Sequence, residues 1–394
     1  MPTQHEIDFA LRGAVQIFSK EGLTKRLNSG KQLKIKLGAD PSRPDLHLGH
    51  AVVLRRLKAL QDMGHEIIFV IGDFTGMIGD PSGKNKTRPK LTLEETRENA
   101  KSYLEQVGKV LDKKKARITY NSEWLNAMNF ADVINLSSKY TLARTLERDE
   151  FDKRFKEKQP ISLHELLYPL AQGYDSVALE ADVEVGGTDQ TFNLLVGREL
   201  MRDFDQEPQE VVTFPLLVGL DGIQKMGKSL DNYIGISEPP GVMYEKAMQV
   251  PDSVLLDYFL LATDIPIEEA KTAMAKDIVE AHRLFGMEII KMYHSEADIY
   301  EARARYEAVA AGSIPDNMDE VSVANDEDGA LPVCDLIRLC GLAPSNGEAR
   351  RLIQGNGIKI DNVVVDDVYK RVKCADGMVL CRGKNKFVRL VVKG

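Results

Sequence analysis

Two short apolar runs, Lys34–Gly38 (KIKLG) and Glu66–Ile71 (EIIFVI), flank a helical stretch over Ala51–Met63 that Gly64 ends. A nearly continuous apolar strand marks a parallel sheet covered on both faces, because a one-sided strand alternates instead. Parallel neighbours need a long crossover, which a helix supplies. Strand, helix and strand within residues 34–71 therefore read as one βαβ unit with the right-handed connection such units take. Val211–Val218 (VVTFPLLV) reads as a further buried strand, so the chain belongs to the α/β class.

At 394 residues the chain predicts two or three domains, taking about 150 residues for each. Its 43% hydrophobic and 28% charged residues are enough for a full core and exclude wholesale disorder. Apolar runs such as Ile67–Ile71 fall far short of the roughly 18 residues a membrane span needs. The start, MPTQHEIDFALRGA, lacks a basic stretch followed by an apolar core, so no secretion signal is expected. Cys334, Cys340, Cys374 and Cys381 form no CxxC pair, which points to a reduced cytoplasmic setting without structural zinc. The net charge of −8 is uneven: residues 331–394 hold twelve Lys and Arg against six Asp and Glu. A small basic domain on an acidic body suits an enzyme with a nucleic-acid-binding module.

Along the chain, residues 1–30 read as an amphipathic helix and a loop, and 92–165 as charged helical insertion. Positions 240–311 read as helical throughout, and 313–330, with six acids and no Lys or Arg, as a linker. Two helices, a strand over Lys359–Val365 and two shorter strands follow.

His47-Leu48-Gly49-His50 opens the helix after the first strand. A helix start presents unpaired N–H groups and a positive dipole end to phosphate, and Gly49 admits a ligand close to the backbone. Two imidazoles one turn apart can donate to phosphate and ribose oxygens, although HxxH alone equally fits a zinc pair or surface histidines. Lys225-Met226-Gly227-Lys228-Ser229 follows the strand VVTFPLLVGL. Its lysines can close over a polyphosphate, although KxxK alone is also an ordinary solvated loop. Tyr168, Gln172 and Asp175 at i, i+4 and i+7 share one helix face, which by spacing alone is also a polar outer stripe. Gly186-Gly187-Thr188-Asp189-Gln190 sets a glycine pair beside an acid, suited to close backbone approach and a ribose hydroxyl.

Together HLGH and KMGKS resemble the paired signatures of class I aminoacyl-tRNA synthetases. With Asp80 in IGDPSG, the Tyr168 triad and GGTDQ, the whole chain resembles the bacterial tyrosyl-tRNA synthetase family. That resemblance implies a Rossmann-like parallel-sheet catalytic domain over 1–230, with a helical insertion and dimer interface near 90–165. A helical tRNA-binding domain over 231–312, an acidic linker over 313–330 and a small α+β S-four-like RNA-binding domain over 331–394 would follow. It also implies ATP with Mg2+ as substrate, L-tyrosine and tRNA(Tyr) as partners, no tightly bound metal, and a cytoplasmic homodimer away from membranes.

In the pocket so implied, Asp80, Tyr168 and Gln172 hold the substrate ammonium, Asp175 accepts from its phenol, and Asp40 and Gln190 lie near substrate and adenylate. Gly38, Ser42, His47, Gly49 and His50 face ATP, and Gly187 and Asp189 its ribose. Lys225, Lys228 and Ser229 face the pyrophosphate, and with His47 and His50 form the catalytic set. Arg350, Arg351 and Lys359 would contact RNA phosphates. Three positions depart from the family pattern: Lys36 where a tyrosine is common, Gly227 in place of a serine, and Glu184 where a glutamine often stands. Two other readings are a sister enzyme, such as a tryptophanyl synthetase or small nucleotidyltransferase, and a non-catalytic RNA-binding paralogue. Asp175 and the basic tail speak against the first, and intact HLGH and KMGKS against the second.

Overall fold

The βαβ unit lies inside a six-stranded sheet. Strands β1 (Gln16–Phe18), β2 (Lys34–Ala39), β3 (Glu66–Ile71), β4 (Ala116–Tyr120), β5 (Val183–Gly187) and β6 (Glu210–Phe214) take the order β1-β6-β5-β2-β3-β4. Every neighbouring pair is parallel except the edge pair β1–β6. The helix Leu48–Asp62 connects β2 to β3, and the helix Leu163–Leu179 leads into β5. Ile67–Ile71 of β3 is at most 1% exposed, the burial that its unbroken apolar run requires. The chain lays down β2, β3 and β4 on one side, then returns to place β5 and β6 on the other. The strand order therefore reverses between β2 and β5, and a crevice opens at their carboxyl ends, the place where such sheets bind ligands.

The structure, a computed structural model, describes residues 2–41, 46–81, 92–311, 318–324, 330–383 and 386–392. Two compact units divide it at Ser295–Glu296. The helices of 240–293 thus belong with the sheet, rather than to a domain of their own starting at 231. Three strands escape the apolar-run signal, each for a local reason. β4, inside the stretch read as helical, is a partly exposed edge strand. β5 carries a buried glutamate and two glycines, which break its apolar run. β1 has three residues between the helices Gln4–Ala10 and Lys20–Leu27, so 1–30 is not one helix and a loop.

In the second unit, β7 (Asp319–Val323), β9 (Ile358–Ile360), β10 (Val363–Val364), β12 (Val379–Arg382) and β13 (Lys386–Val392) form a sheet ordered β10-β9-β12-β13-β7. Between them in sequence, β8 (Leu331–Pro332) pairs with β11 (Arg371–Val372). The helices Val333–Leu339 and Asn346–Gln354 pack on the core through Leu336, Ile337 and Ile353. β7 corrects the linker reading of 313–330: the strand pairs with β13, Val321 and Val323 alternate inward, and Asp319, Glu320 and Ser322 are exposed. Lys359–Val365 is likewise a hairpin, because Asp361 and Asn362 take positive φ of 46° and 66° and turn the chain. All four cysteines are buried and free. Among the described residues no helix is long and apolar enough to cross a membrane.

Candidate active site

A backbone ladder brings the two distant signature motifs together. Leu48 N–H donates to Ile234 O at 2.9 Å and Ile236 N–H to Leu46 O at 3.1 Å, so the segment after KMGKS lies along the entrance to the HLGH helix. Met226 N–H donates to Leu217 O at 2.7 Å, and Gly227 N–H to the buried Asn232 Oδ1 at 2.8 Å, fixing the base of the lysine loop. A cavity of about 370 Å³ lies at the carboxyl ends of β2 and β5. Gly38, Asp40, His47, Gly49, His50 and Gln172 line it, as do Gly187, Asp189, Gln190, Lys225, Lys228 and Ser229.

His47 and His50 stack with ring centroids 3.9 Å apart. Gly49 leaves room for this arrangement, since a Cβ on it would meet the His47 ring at 3.0 Å and press it aside. Burial, then the neighbouring His50, drives the His47 pKa far down, and burial with Lys225 nearby lowers His50 to about 4. Both rings are therefore neutral near pH 7 and offer hydrogen bonds rather than charge. The His47 backbone N–H approaches His50 Nδ1 at 3.3 Å, which leaves the His50 proton on Nε2. The positive charge at the cavity mouth belongs to the loop: Lys225 Nζ lies 3.1 Å from Asp189 Oδ2, and Lys228 sits 5.6 Å over the Tyr233 ring.

Deeper in, Asp40 and Asp80 flank Tyr168, and Asp175 lies two turns further along the same helix. Tyr168 Oη donates to Asp40 Oδ2 at 3.0 Å and Thr75 Oγ1 to Asp40 Oδ1 at 2.7 Å. Gly72 makes room, since a Cβ on it would meet Asp40 Oδ1 at 1.9 Å. Asp80 accepts from Arg148 Nη2 at 3.0 Å and Gln190 Nε2 at 2.8 Å. Asn193 joins this group to the helix: its Nδ2 donates to Gln172 Oε1 at 2.9 Å and to Gln190 Oε1 at 3.0 Å. Asp175 accepts from Trp124 Nε1 at 2.8 Å and Asn121 Nδ2 at 3.3 Å. Burial raises Asp40 and Asp175 from 3.8 to about 7 each, against the pull of these hydrogen bonds and, for Asp175, of Lys36. An acidic pocket of this kind favours a cationic group.

Residues 28–307 match the family model described as tRNA synthetases class I (W and Y). The chain belongs to the class I tRNA synthetases. It is 52% identical over 402 residues to the tyrosine–tRNA ligase of Deinococcus radiodurans, covering 100% of this chain and 98% of that one. It is 49% identical over 390 residues to the tyrosine–tRNA ligase of Moorella thermoacetica, covering 96% and 94%. The fold matches tyrosyl-tRNA synthetase from Archaeoglobus fulgidus, solved with L-tyrosine, at a TM-score of 0.61 and 24% identity over 77% of this chain and 99% of that one. A truncated mitochondrial tyrosyl-tRNA synthetase from Coccidioides posadasii gives a TM-score of 0.61 at 23% identity, over 77% and 92%.

In this synthetase the cavity and the carboxylate cluster hold nearly every site residue expected of the catalytic unit. Ser42 lies outside the described residues. Arg350 and Arg351 on the helix Asn346–Gln354, and Lys359 on β9, are all exposed in the second unit. Sequence reading missed Thr75, Asn121, Trp124, Arg148 and Asn193, which orient the pocket carboxylates and amides. Only Trp124 offered a signal, as the sole tryptophan of the chain; the others are single polar residues in no motif.

Proposed function

We propose that this synthetase is a tyrosine–tRNA ligase, and that the buried Asp175 between Trp124 and Asn121 reads the substrate phenol. The tyrosine carboxylate attacks the α-phosphorus of ATP, supplied as its magnesium complex, and the bond to the bridging oxygen breaks to release pyrophosphate. The terminal adenosine hydroxyl of tRNA(Tyr) then attacks the tyrosyl carbonyl carbon, loses its proton, and AMP departs. No side chain forms a covalent bond, so rate comes from placement and charge.

Asp80, Tyr168 and Gln172 hold the ammonium, with Asp40 and Gln190 beside the reacting carboxylate. The acidic pocket supports this assignment, because an ammonium gains most there. The neutral His47 and His50 donate to phosphate oxygens beside the helix start, while Gly38, Ser42 and Gly49 lie along ATP and Gly187 and Asp189 take the ribose. Lys225, Lys228 and Ser229 close on the departing pyrophosphate. Lys225 lies on Asp189, so a ribose bound at Asp189 would release it toward the phosphates.

The second unit is proposed to bind RNA through Arg350, Arg351 and Lys359, in keeping with the basic excess of residues 331–394 and the exposure of all three. Phe130 at 80%, Phe155 at 64% and Leu163 at 82% exposure support a homodimer through the 90–165 insertion. The test is charging of a tRNA(Tyr) transcript with labelled tyrosine and ATP. A tyrosyl ester on the terminal adenosine is expected; RNA binding without any charging would favour a non-catalytic paralogue.

A further inference from the structure

At the wall of the cavity, which Glu184 lines, lies an ion pair that the reaction as set out does not use. Lys36 on β2 is 0% exposed and Glu184 on β5 is 1% exposed. Lys36 Nζ lies 2.8 Å from Glu184 Oε1, 2.7 Å from Ser176 Oγ and 3.3 Å from the Gln172 carbonyl oxygen. Ser176 Oγ lies 3.1 Å from Glu184 Oε2, which also accepts from Gln209 Nε2. The interior of a parallel sheet ordinarily takes apolar side chains, and a buried ion pair is poor evidence of a packing role. This one grips the helical turn that carries two expected pocket residues, Gln172 and Asp175, at the residue next to Asp175 and at the backbone of Gln172.

We infer that Lys36 is a positioning residue for amino-acid specificity: its fixed positive charge holds the Asp175 carboxylate ionised to accept the phenol, and Glu184 anchors and tempers that charge. The inference rests on the reading of Asp175 as the phenol acceptor. Around Asp175, β2 contributes Lys36 and, at its end, Asp40; β5 contributes Glu184; its own helix contributes Tyr168. The remaining contacts, Trp124 and Asn121 with Thr75 behind, carry no charge. Lys36 favours the ionised carboxylate and Glu184 opposes it. The two partners of one ion pair therefore act on Asp175 with opposite sign.

The experiment follows the ratio of kcat/KM for tyrosine to kcat/KM for phenylalanine in pyrophosphate exchange across the neutral pH range. The ratio isolates Asp175, because Asp40 acts on both amino acids alike. Lys36→Met should move the acidic limb of this ratio upward by about one pH unit or more, and Glu184→Gln should move it downward. Limbs that stay in place, or move in the same direction, overturn the inference, since a packing role carries no sign. Where Lys36→Met does not fold, Glu184→Gln decides alone. Asp175→Asn is measured alongside. Loss of tyrosine preference there with unmoved limbs in the other two variants sinks the role of Lys36 alone, whereas preference kept in Asp175→Asn sinks the phenol reading and this inference together.

Discussion

Replacing Asp175 by Asn should stabilise the catalytic unit at alkaline pH while weakening its choice of substrate. Asp175 is 3% exposed, and burial raises its pKa from 3.8 to about 7. A carboxyl with a raised folded pKa contributes stability in full below its unfolded value and loses it as pH rises through the folded value. The rise to about 7 corresponds to about 4 kcal/mol lost once the group is fully ionised. By about pH 5 somewhat over a third of this is already gone, which leaves about 2–3 kcal/mol to be lost between about pH 5 and 8.5. Asn has the same shape and does not titrate, so the variant should gain that amount on the wild type over the interval. Its amide leaves one of the donors Trp124 Nε1–H and Asn121 Nδ2 poorly matched, an offset of about 1 kcal/mol that is the same at both pH values. Trp124 is the only tryptophan and touches Asp175, so its fluorescence during urea unfolding reports this unit rather than the other. A stability difference that does not change with pH, or one that moves against the Asn variant as pH rises, would refute the reasoning.

Two further outcomes follow from the same site. Lys225→Ala with Lys228→Ala should slow adenylate formation by orders of magnitude and leave tyrosine affinity nearly unchanged, as read by single-turnover kinetics and equilibrium binding; unchanged rates would remove the loop from catalysis. Ending the chain at Ser295, where the units divide, should keep pyrophosphate exchange and cripple transfer to tRNA. A cut at residue 330 is less informative, because β7 would be left without β13. Equal loss of both steps after the cut at Ser295 would make the second unit structural.

What the sequence made legible was periodic or clustered. The run Glu66–Ile71 announced a parallel sheet, because burial on two faces restricts residue choice over several adjacent positions, and the pair HLGH and KMGKS marked residues that line one cavity. β5 escaped notice since Glu184 interrupts its run, and that interruption makes sense only beside Lys36 from a strand far away in sequence. β7 hid among acids for the opposite reason: an edge strand buries only alternate residues, and Val321 and Val323 are too few to signal it. Arg148 and Asn193 were invisible in principle, as each is a lone polar residue whose meaning comes from Asp80 and Gln172 across the fold.

The most direct measurement is amino-acid-dependent exchange of labelled pyrophosphate into ATP by the full chain, without RNA and across a panel that includes tyrosine, phenylalanine and tryptophan. Exchange confined to tyrosine is the predicted result of the proposal that Asp175 accepts from the substrate phenol. Exchange driven by tryptophan, or by phenylalanine as well as tyrosine, would contradict the assignment of Asp175 and of the pocket built around it.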